Sequence, residues 1–344
     1  MKTFLIKGIT NTSSIYIDER LKHVTRYLPC KKTIIITDKS VKKYYLSDFP
    51  DFPVITISTG ESIKTLATVE SIFRQLIDLA VDRQTFILAI GGGIVCDIAG
   101  FVAATFLRGL RFGFVSTSLL SQVDASVGGK NGVNFDSYKN MVGVFAQPEF
   151  VICDINLLNT LPKKEVANGF AEIVKHALIA GFSMFEYITQ NKTKALNLDP
   201  ETIIQLVTDS ISIKSKIVQE DEKEAGKRRI LNFGHTIGHA IEKIAQPGHG
   251  NAVSLGMVAA TKFSCQKGYI SKYNQNLIIN LLYDLGLPVE HSFETKAIVD
   301  ALQADKKREG NFINFIFLTH IGQSVIEKVN FTDIEDFLYS MELR

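Results

Sequence analysis

Thr85-Phe86-Ile87-Leu88-Ala89-Ile90 runs directly into Gly91-Gly92-Gly93 and on through Ile94-Val95-Cys96-Asp97-Ile98-Ala99-Gly100. The first six residues form a short apolar run, which reads as a buried parallel strand. The three glycines permit a tight turn, and the apolar stretch from Ile94 to Leu107 reads as a largely buried helix. A strand, a glycine turn and a helix in that order let a backbone approach a pyrophosphate, whose charge meets the helix N-terminus. The usual dinucleotide spacing of three glycines is not met, because Cys96 takes the third place. On the loop alone, a tight strand–helix turn with no ligand is therefore also open.

Working outward, Thr33 to Thr37 and Val54 to Ser58 are β-branched runs closed by polar residues, as buried parallel strands tend to be. Between Ser62 and Ala80, Ile63, Leu66, Val69, Ile72, Phe73, Leu76 and Leu79 recur at helical spacing. Phe112 to Val115 and Phe150 to Cys153 are further strands. After Leu161-Pro162 the texture turns helical, over roughly 163–180, 183–195, 200–220, 231–245, 251–268 and 273–285, with shorter pieces to the end. The expected fold is an α/β N-terminal nucleotide-binding domain with a parallel sheet (1–160), plus a mostly α-helical C-terminal domain (161–344) for metal and substrate. A chain of 344 residues is too long for one core, so two domains are the natural division. Their junction is where a pocket is expected.

Composition limits the function. Net charge is +2, from 38 basic and 36 acidic residues, which argues against nucleic acid and anionic membranes as partners. Cys30, Cys96, Cys153 and Cys265 form no CxxC pair, which argues against a disulfide framework or a thiolate zinc site and fits a reducing compartment. Met1 to Thr10 shows no signal-peptide pattern, and no run approaches the roughly 20 apolar residues that span a bilayer. A cytoplasmic protein is expected.

Three further segments carry chemistry. Ser126-Val127-Gly128-Gly129-Lys130, followed by Lys139-Asn140, sets two lysines beside flexible glycines, as a phosphate or carboxylate site needs. The polar Gln122 and Asp124 interrupt the apolar neighbourhood before it. Glu172 and Lys175 lie three apart on one helical face, with His176 beside them. Asn232-Phe233-Gly234-His235-Thr236-Ile237-Gly238-His239 places two histidines four apart, and His249 follows after Pro247-Gly248. Of the 7 histidines in the chain, three thus fall within a short span. Imidazoles with one carboxylate and an open position make a catalytic divalent-metal site, and spacing alone favours His235 and His239 as the pair. The charge run Glu220 to Arg229 reads as a solvated loop, except that Arg228 lies four residues before Asn232.

Together these segments resemble the 3-dehydroquinate synthases, from about Thr37-Asp38 to Asp305-Lys306-Lys307. The resemblance rests on Gly60 to Lys64, Gly91 to Asp97, Arg108-Gly109, Leu119 to Lys130, Lys139-Asn140, Leu161-Pro162, Gly169 to Lys175, Asp221-Glu222 and Leu231 to Glu242. It implies that NAD lies across the first domain. Glu61 and Lys64 would meet its ribose and neighbouring groups, Gly93, Ile94, Val95, Cys96 and Asp97 its pyrophosphate, and Thr117-Ser118 further polar groups. Asp38, Asp124, Lys130, Lys139 and Thr160 would complete that set. It also implies a divalent metal, usually zinc with cobalt as the alternative, held by Glu172, His235 and His249. His239 then becomes a hydrogen-bonding partner in the site. Lys130, Asn140, Lys175, Lys214, Arg228, Asn232 and one of Lys306 and Lys307 would hold a substrate with a phosphate and a carboxylate. Members of the family are commonly homodimers, and Arg108 would reach the neighbouring subunit's site.

The implied reaction turns 3-deoxy-arabino-heptulosonate 7-phosphate into 3-dehydroquinate and phosphate, in the shikimate pathway. It proceeds by NAD oxidation at C5, phosphate elimination, reduction and an intramolecular aldol. The alternatives are an inosose- or valiolone-forming cyclase, a metal-dependent polyol or glycerol-phosphate dehydrogenase, and a binding protein without activity. Three departures stand out: Ser116-Thr117-Ser118 replaces the family's Pro-Thr-Thr, Cys96 replaces a small residue, and His249-Gly250-Asn251 replaces His-Gly-Glu. The last removes a carboxylate beside an implied ligand, a change that commonly weakens metal affinity roughly tenfold to a hundredfold.

Overall fold

The computed structural model describes residues 1–8, 11–30, 32–136, 138–303 and 311–342. Lys306 and Lys307 lie outside the described residues. The chain divides into two compact units, Met1–Val166 with Ile203–Lys223, and Ala167–Thr202 with Glu224–Arg344. The segment 203–223, assigned to the second half from sequence, thus clusters with the first unit.

The first unit is built on a seven-stranded sheet in the order β1-β2-β9-β6-β5-β3-β4. Its strands are β1 (Lys2–Lys7), β2 (Thr12–Ile17), β3 (Thr33–Asp38), β4 (Val54–Ile57), β5 (Phe86–Gly91), β6 (Arg111–Ser116) and β9 (Phe150–Cys153). Only β1 and β2 pair antiparallel; every other contact in this sheet is parallel. All of β5 and β9 is buried, so neither shows the alternation of a half-exposed strand. Helices α1 (Lys39–Tyr45), α2 (Leu66–Asp78) and α3 (Gly93–Thr105) follow β3, β4 and β5. From β3 the chain runs outward to β4, then returns to the other side of β3 with β5. The strand order therefore reverses between β3 and β5, and open α/β sheets bind ligands outside the carboxyl ends at such a point. Thr37 Oγ1 donates to Ile90 O at 2.7 Å, tying those two ends together.

The glycine-rich stretch after Ser126 enters an antiparallel hairpin, β7 (Lys130–Phe135) and β8 (Tyr138–Phe145), which brings Lys130 and the Lys139-Asn140 pair onto paired strands. Gly132 pairs with Gly143 across it, and a Cβ on either would lie 2.7 Å from a backbone oxygen of the opposite strand. That close backbone approach requires glycine on both strands.

The second unit holds most of α4 (Lys163–Ala180), α5 (Phe182–Leu196), α7 (His235–Ala245), α8 (His249–Gln266), α9 (Lys272–Asp284), α10 (Thr295–Gln303) and α11 (Phe331–Glu342). Between α5 and α7, α6 (Pro200–Glu220) crosses from one unit to the other in sequence. Sequence reading began the seventh helix at 231; instead a 3₁₀ turn covers Lys227–Asn232, and Gly234 at φ 77 starts α7 afresh. It also missed the hairpin β10 (Phe312–His320) and β11 (Gln323–Asn330). The apolar run in β10 packs on α8, where Phe263 stacks on Phe337 at 4.3 Å and meets Phe315 and Phe317 edge-on.

Candidate active site

In the first unit, the glycine turn begins with Gly91, where a Cβ would fall 2.4 Å from the Val95 Cβ. Gly92 ends the turn as the residue before α3, and no side chain caps the helix's first turn. Gly92, Gly93 and Ile94 are half-buried while Val95 and Cys96 face the core. An uncapped helix start beside the switch point offers backbone N–H groups to an anion. Burial pushes the Cys96 thiol up to about 12, so it stays protonated and serves as packing.

Beside that turn, Lys64 Nζ donates to Asp97 Oδ2 and to Asn140 Oδ1, each at 2.5 Å. Burial raises the Asp97 carboxyl, and the Lys64 ammonium opposes it; the balance remains above the ordinary value. Asn134 ties the same group together: its Nδ2 donates to Glu61 Oε1 at 2.8 Å, and its Oδ1 accepts from Asn140 N at 2.9 Å. Lys139 Nζ stands 3.8 Å from Glu61 Oε1. Glu61, Lys64, Asp97, Lys139 and Asn140, scattered in sequence, therefore form one polar cluster. Asn134 was not singled out from sequence; it holds the hairpin to the Glu61 turn.

Lys214, buried on α6, donates to Asp124 Oδ1 at 2.5 Å and to Asp124 O at 2.6 Å. Asp124 sits in a π-helical turn, Ser121–Ala125, a wide turn of the kind often found at functional sites. Thr117 N donates to Gly91 O at 2.9 Å, and Ser118 Oγ donates to Ser121 Oγ at 3.0 Å. Lys130 is exposed at the start of β7. The Asp38 carboxylate caps α1 through Ser40 N and Val41 N, and Thr160 bonds the Tyr45 hydroxyl at 2.7 Å. Arg108 is exposed, at φ 68, between Leu107 at φ 50 and Gly109 at φ 122.

In the second unit, α4 buries Glu172 completely and pairs it with Lys175, one turn on and only 2% exposed. Glu172 Oε1 then lies 3.5 Å from His235 Nε2 on α7 and 3.2 Å from His249 Nε2 on α8. One ligand atom from each of these residues lies within 4.8 Å of the other two. Two ligand atoms about 2.05 Å from a tetrahedral ion are about 3.3 Å apart, so the measured separations match that edge. A fully buried carboxylate with two imidazoles suits a divalent ion and leaves a fourth position open. Burial raises the Glu172 carboxyl, but Lys175 and the two histidines outweigh it and hold it well below the usual range. Burial also lowers His235, whereas Glu172 and Glu242 together overcome burial at His249 and raise it to about 9. His239 meets His235 edge-to-face at 5.2 Å and stands beside the donor set. Arg228 is buried, and Asn232 Nδ2 donates to Glu224 Oε1. Glu224 and Glu242 escaped the sequence reading; the signal for Glu242 was its place seven residues after His235 on the same face.

The 3-dehydroquinate synthase N-terminal family matches residues 54–168, and the 3-dehydroquinate synthase C-terminal family matches residues 169–308. A curated 3-dehydroquinate synthase from Thermoanaerobacter pseudethanolicus is 40% identical over 323 residues, covering 90% of this chain and 91% of that one. This chain belongs to the 3-dehydroquinate synthase family. Among solved structures, a 2-deoxy-scyllo-inosose synthase complexed with carbaglucose-6-phosphate, NAD+ and Co2+ superposes with a TM-score of 0.88 at 28% identity, covering 98% of this chain and all (100%) of that one. A 2-epi-5-epi-valiolone synthase from Streptomyces hygroscopicus, with NAD+ and Zn2+ bound, superposes at 0.89 with 23% identity over 100% of both chains, a likeness of fold.

Proposed function

We propose that this chain converts 3-deoxy-arabino-heptulosonate 7-phosphate to 3-dehydroquinate and phosphate, as a cytoplasmic homodimer using NAD and a divalent metal, zinc or cobalt. The observation that carries the reading is the convergence of Glu172, His235 and His249 in a chain whose family match is to 3-dehydroquinate synthases. The cofactors, when bound, supply hydride exchange at C5 and polarisation of the C5 oxygen.

The protein's own groups do the rest. Glu61, Lys64, Asp97, Lys130 and Lys139 orient the nucleotide around the glycine turn, with Gly93 to Cys96 presenting the helix start to its pyrophosphate. Asp38, Thr117, Ser118, Asp124 and Thr160 complete that nucleotide set. Lys64 is held between Asp97 and Asn140, which fixes its Nζ beside the glycine turn. Lys175 holds Glu172 ionised, as a metal ligand must be. Lys130, Asn140, Lys175, Lys214, Arg228, Asn232, His239 and one of Lys306 and Lys307 grip the phosphate and carboxylate ends. Two anionic ends fixed at once hold the chain of carbons in register for elimination and ring closure, which converts positioning into rate. Arg108 would serve the neighbouring subunit's site. Two successive non-glycine residues at positive φ, Leu107 and Arg108, support a turn held for more than chain reversal. No helix among the described residues is long and apolar enough to cross a membrane.

The decisive experiment measures phosphate release from the heptulosonate phosphate with substoichiometric NAD, with and without a chelator. Many turnovers per NAD, abolished by the chelator, are expected. Phosphate release from other sugar phosphates alone would overturn the substrate, and steady NADH accumulation would instead indicate a dehydrogenase.

A further inference from the structure

Helix α7 carries His235, His239 and Glu242 at positions i, i+4 and i+7, on one face. Glu242 is buried, 6% exposed, and its Oε1 stands 3.9 Å from His249 Nδ1. The other ring nitrogen, Nε2, faces Glu172 Oε1 at 3.2 Å. His249 is thus flanked by a carboxylate at each nitrogen. Its backbone is seated as well: Gly250 N donates to Asn168 Oδ1 at 3.1 Å, and a Cβ on Gly250 would lie 2.4 Å from the Asn168 Cα. Asn168 is one turn before Glu172 on α4, so the helix face that supplies the ligand carboxylate also fixes where α8 begins. Asn251, where the resembling family has glutamate, spends its amide on Pro247 O at 3.1 Å.

We propose that Glu242 is the positioning residue of His249: its carboxylate takes the Nδ1 side of the ring, which fixes the tautomer and rotation that present Nε2 to the metal. Carboxylates placed behind metal-bound imidazoles act in this way and typically change affinity tenfold to a hundredfold. The inference rests on the metal reading of Glu172, His235 and His249, and adds a residue outside that set.

The test compares wild type with Glu242→Gln and Glu242→Asp. Zinc affinity is measured by competition with a chromophoric chelator, the cobalt-loaded chain by its visible absorption, and the fold by thermal melting in excess chelator. Glu242→Gln should melt as wild type in chelator, bind zinc roughly tenfold to a hundredfold more weakly, and show an altered cobalt spectrum. Glu242→Asp keeps the charge on a shorter stem and should regain part of the affinity and the wild-type spectrum. Were Glu242→Gln not to fold, the aspartate variant decides alone, with roughly a threefold to tenfold loss expected. Zinc binding within twofold of wild type together with an unchanged cobalt spectrum overturns the inference. So does equal weakening in both variants with lowered melting in chelator, which marks a structural role. Failure of wild type to take up one equivalent of metal overturns the metal reading itself, a separate outcome visible in the same assay.

Discussion

Replacing Gly256 with alanine should dismantle the metal site from about two turns away. Gly256 lies on α8 against the start of α7, where a Cβ would fall 1.9 Å from Gly234 O and 2.7 Å from Gly238 N. Both obstacles are backbone, so no side chain can rotate aside. A carbon–oxygen contact needs about 3.3 Å, so the two helices must part by about 1.4 Å at this point. His235 and His249 ride on those two helices, seven residues or about 10 Å along α8 from the substitution. A packed helix moves nearly as a rod, and metal–ligand distances tolerate only about 0.2 Å. The donor set that now spans 3.2 and 3.5 Å from Glu172 should therefore lose a histidine. Overpacking should cost about 1–3 kcal/mol of stability and zinc affinity should fall by at least about a hundredfold. Chelator competition and thermal melting of the same preparation measure both. Gly256→Ala with zinc affinity within threefold of wild type would refute the claim that glycine-mediated helix contact sets the ligand spacing.

Three further outcomes are expected. Lys64→Met leaves the half-buried Asp97 carboxyl without its ammonium, so melting should drop by the equivalent of about 1–3 kcal/mol and NAD should bind at least about tenfold more weakly by calorimetry; unchanged NAD affinity in a folded variant would disconnect the cluster from the cofactor. Burial raises the Glu19 carboxyl, but Tyr27 Oη at 2.6 Å, His23 at 2.8 Å and Arg20 N bring it down to about 2. A depressed folded value stabilises above the ordinary 4.5 and is lost as pH falls towards 2, so the roughly 2 kcal/mol separating wild type from Glu19→Gln in urea unfolding should vanish across that window; a pH-independent difference would be the contrary result. Asn251→Glu should change zinc affinity by less than about threefold, measured by chelator competition, since Glu242 already stands behind His249; a tenfold gain would show that this side of the ring is under-supported.

The readable parts of this chain were those whose signal is local. The run from Thr85 to Gly100 declared itself because a fully buried strand, three glycines and a mostly apolar helix are contiguous, and β3, β4, β6 and β9 were legible because their signal is equally local. The hairpin at Lys130–Phe145 was not, because its defining feature is Gly132 facing Gly143, a pairing that only the register reveals. The C-terminal hairpin hid behind an apolar run that serves equally as buried helix until its partner strand is known.

The metal site shows the same limit at the level of single residues. Spacing along one helix favoured His235 with His239, since residues four apart share a face. Which histidine closes the donor set with Glu172 depends on how closely α7 and α8 approach, and that is decided by Gly234, Gly238 and Gly256, residues with no ligand chemistry of their own. With the helices in backbone contact, His249 reaches Glu172, His239 meets His235 edge-to-face, and Glu242 comes to stand behind His249. The missing carboxylate at position 251 reads in sequence as a weakened site. In the folded chain the same ring has a carboxylate from another helix, so the substitution at 251 and the retention of Glu242 have to be judged together.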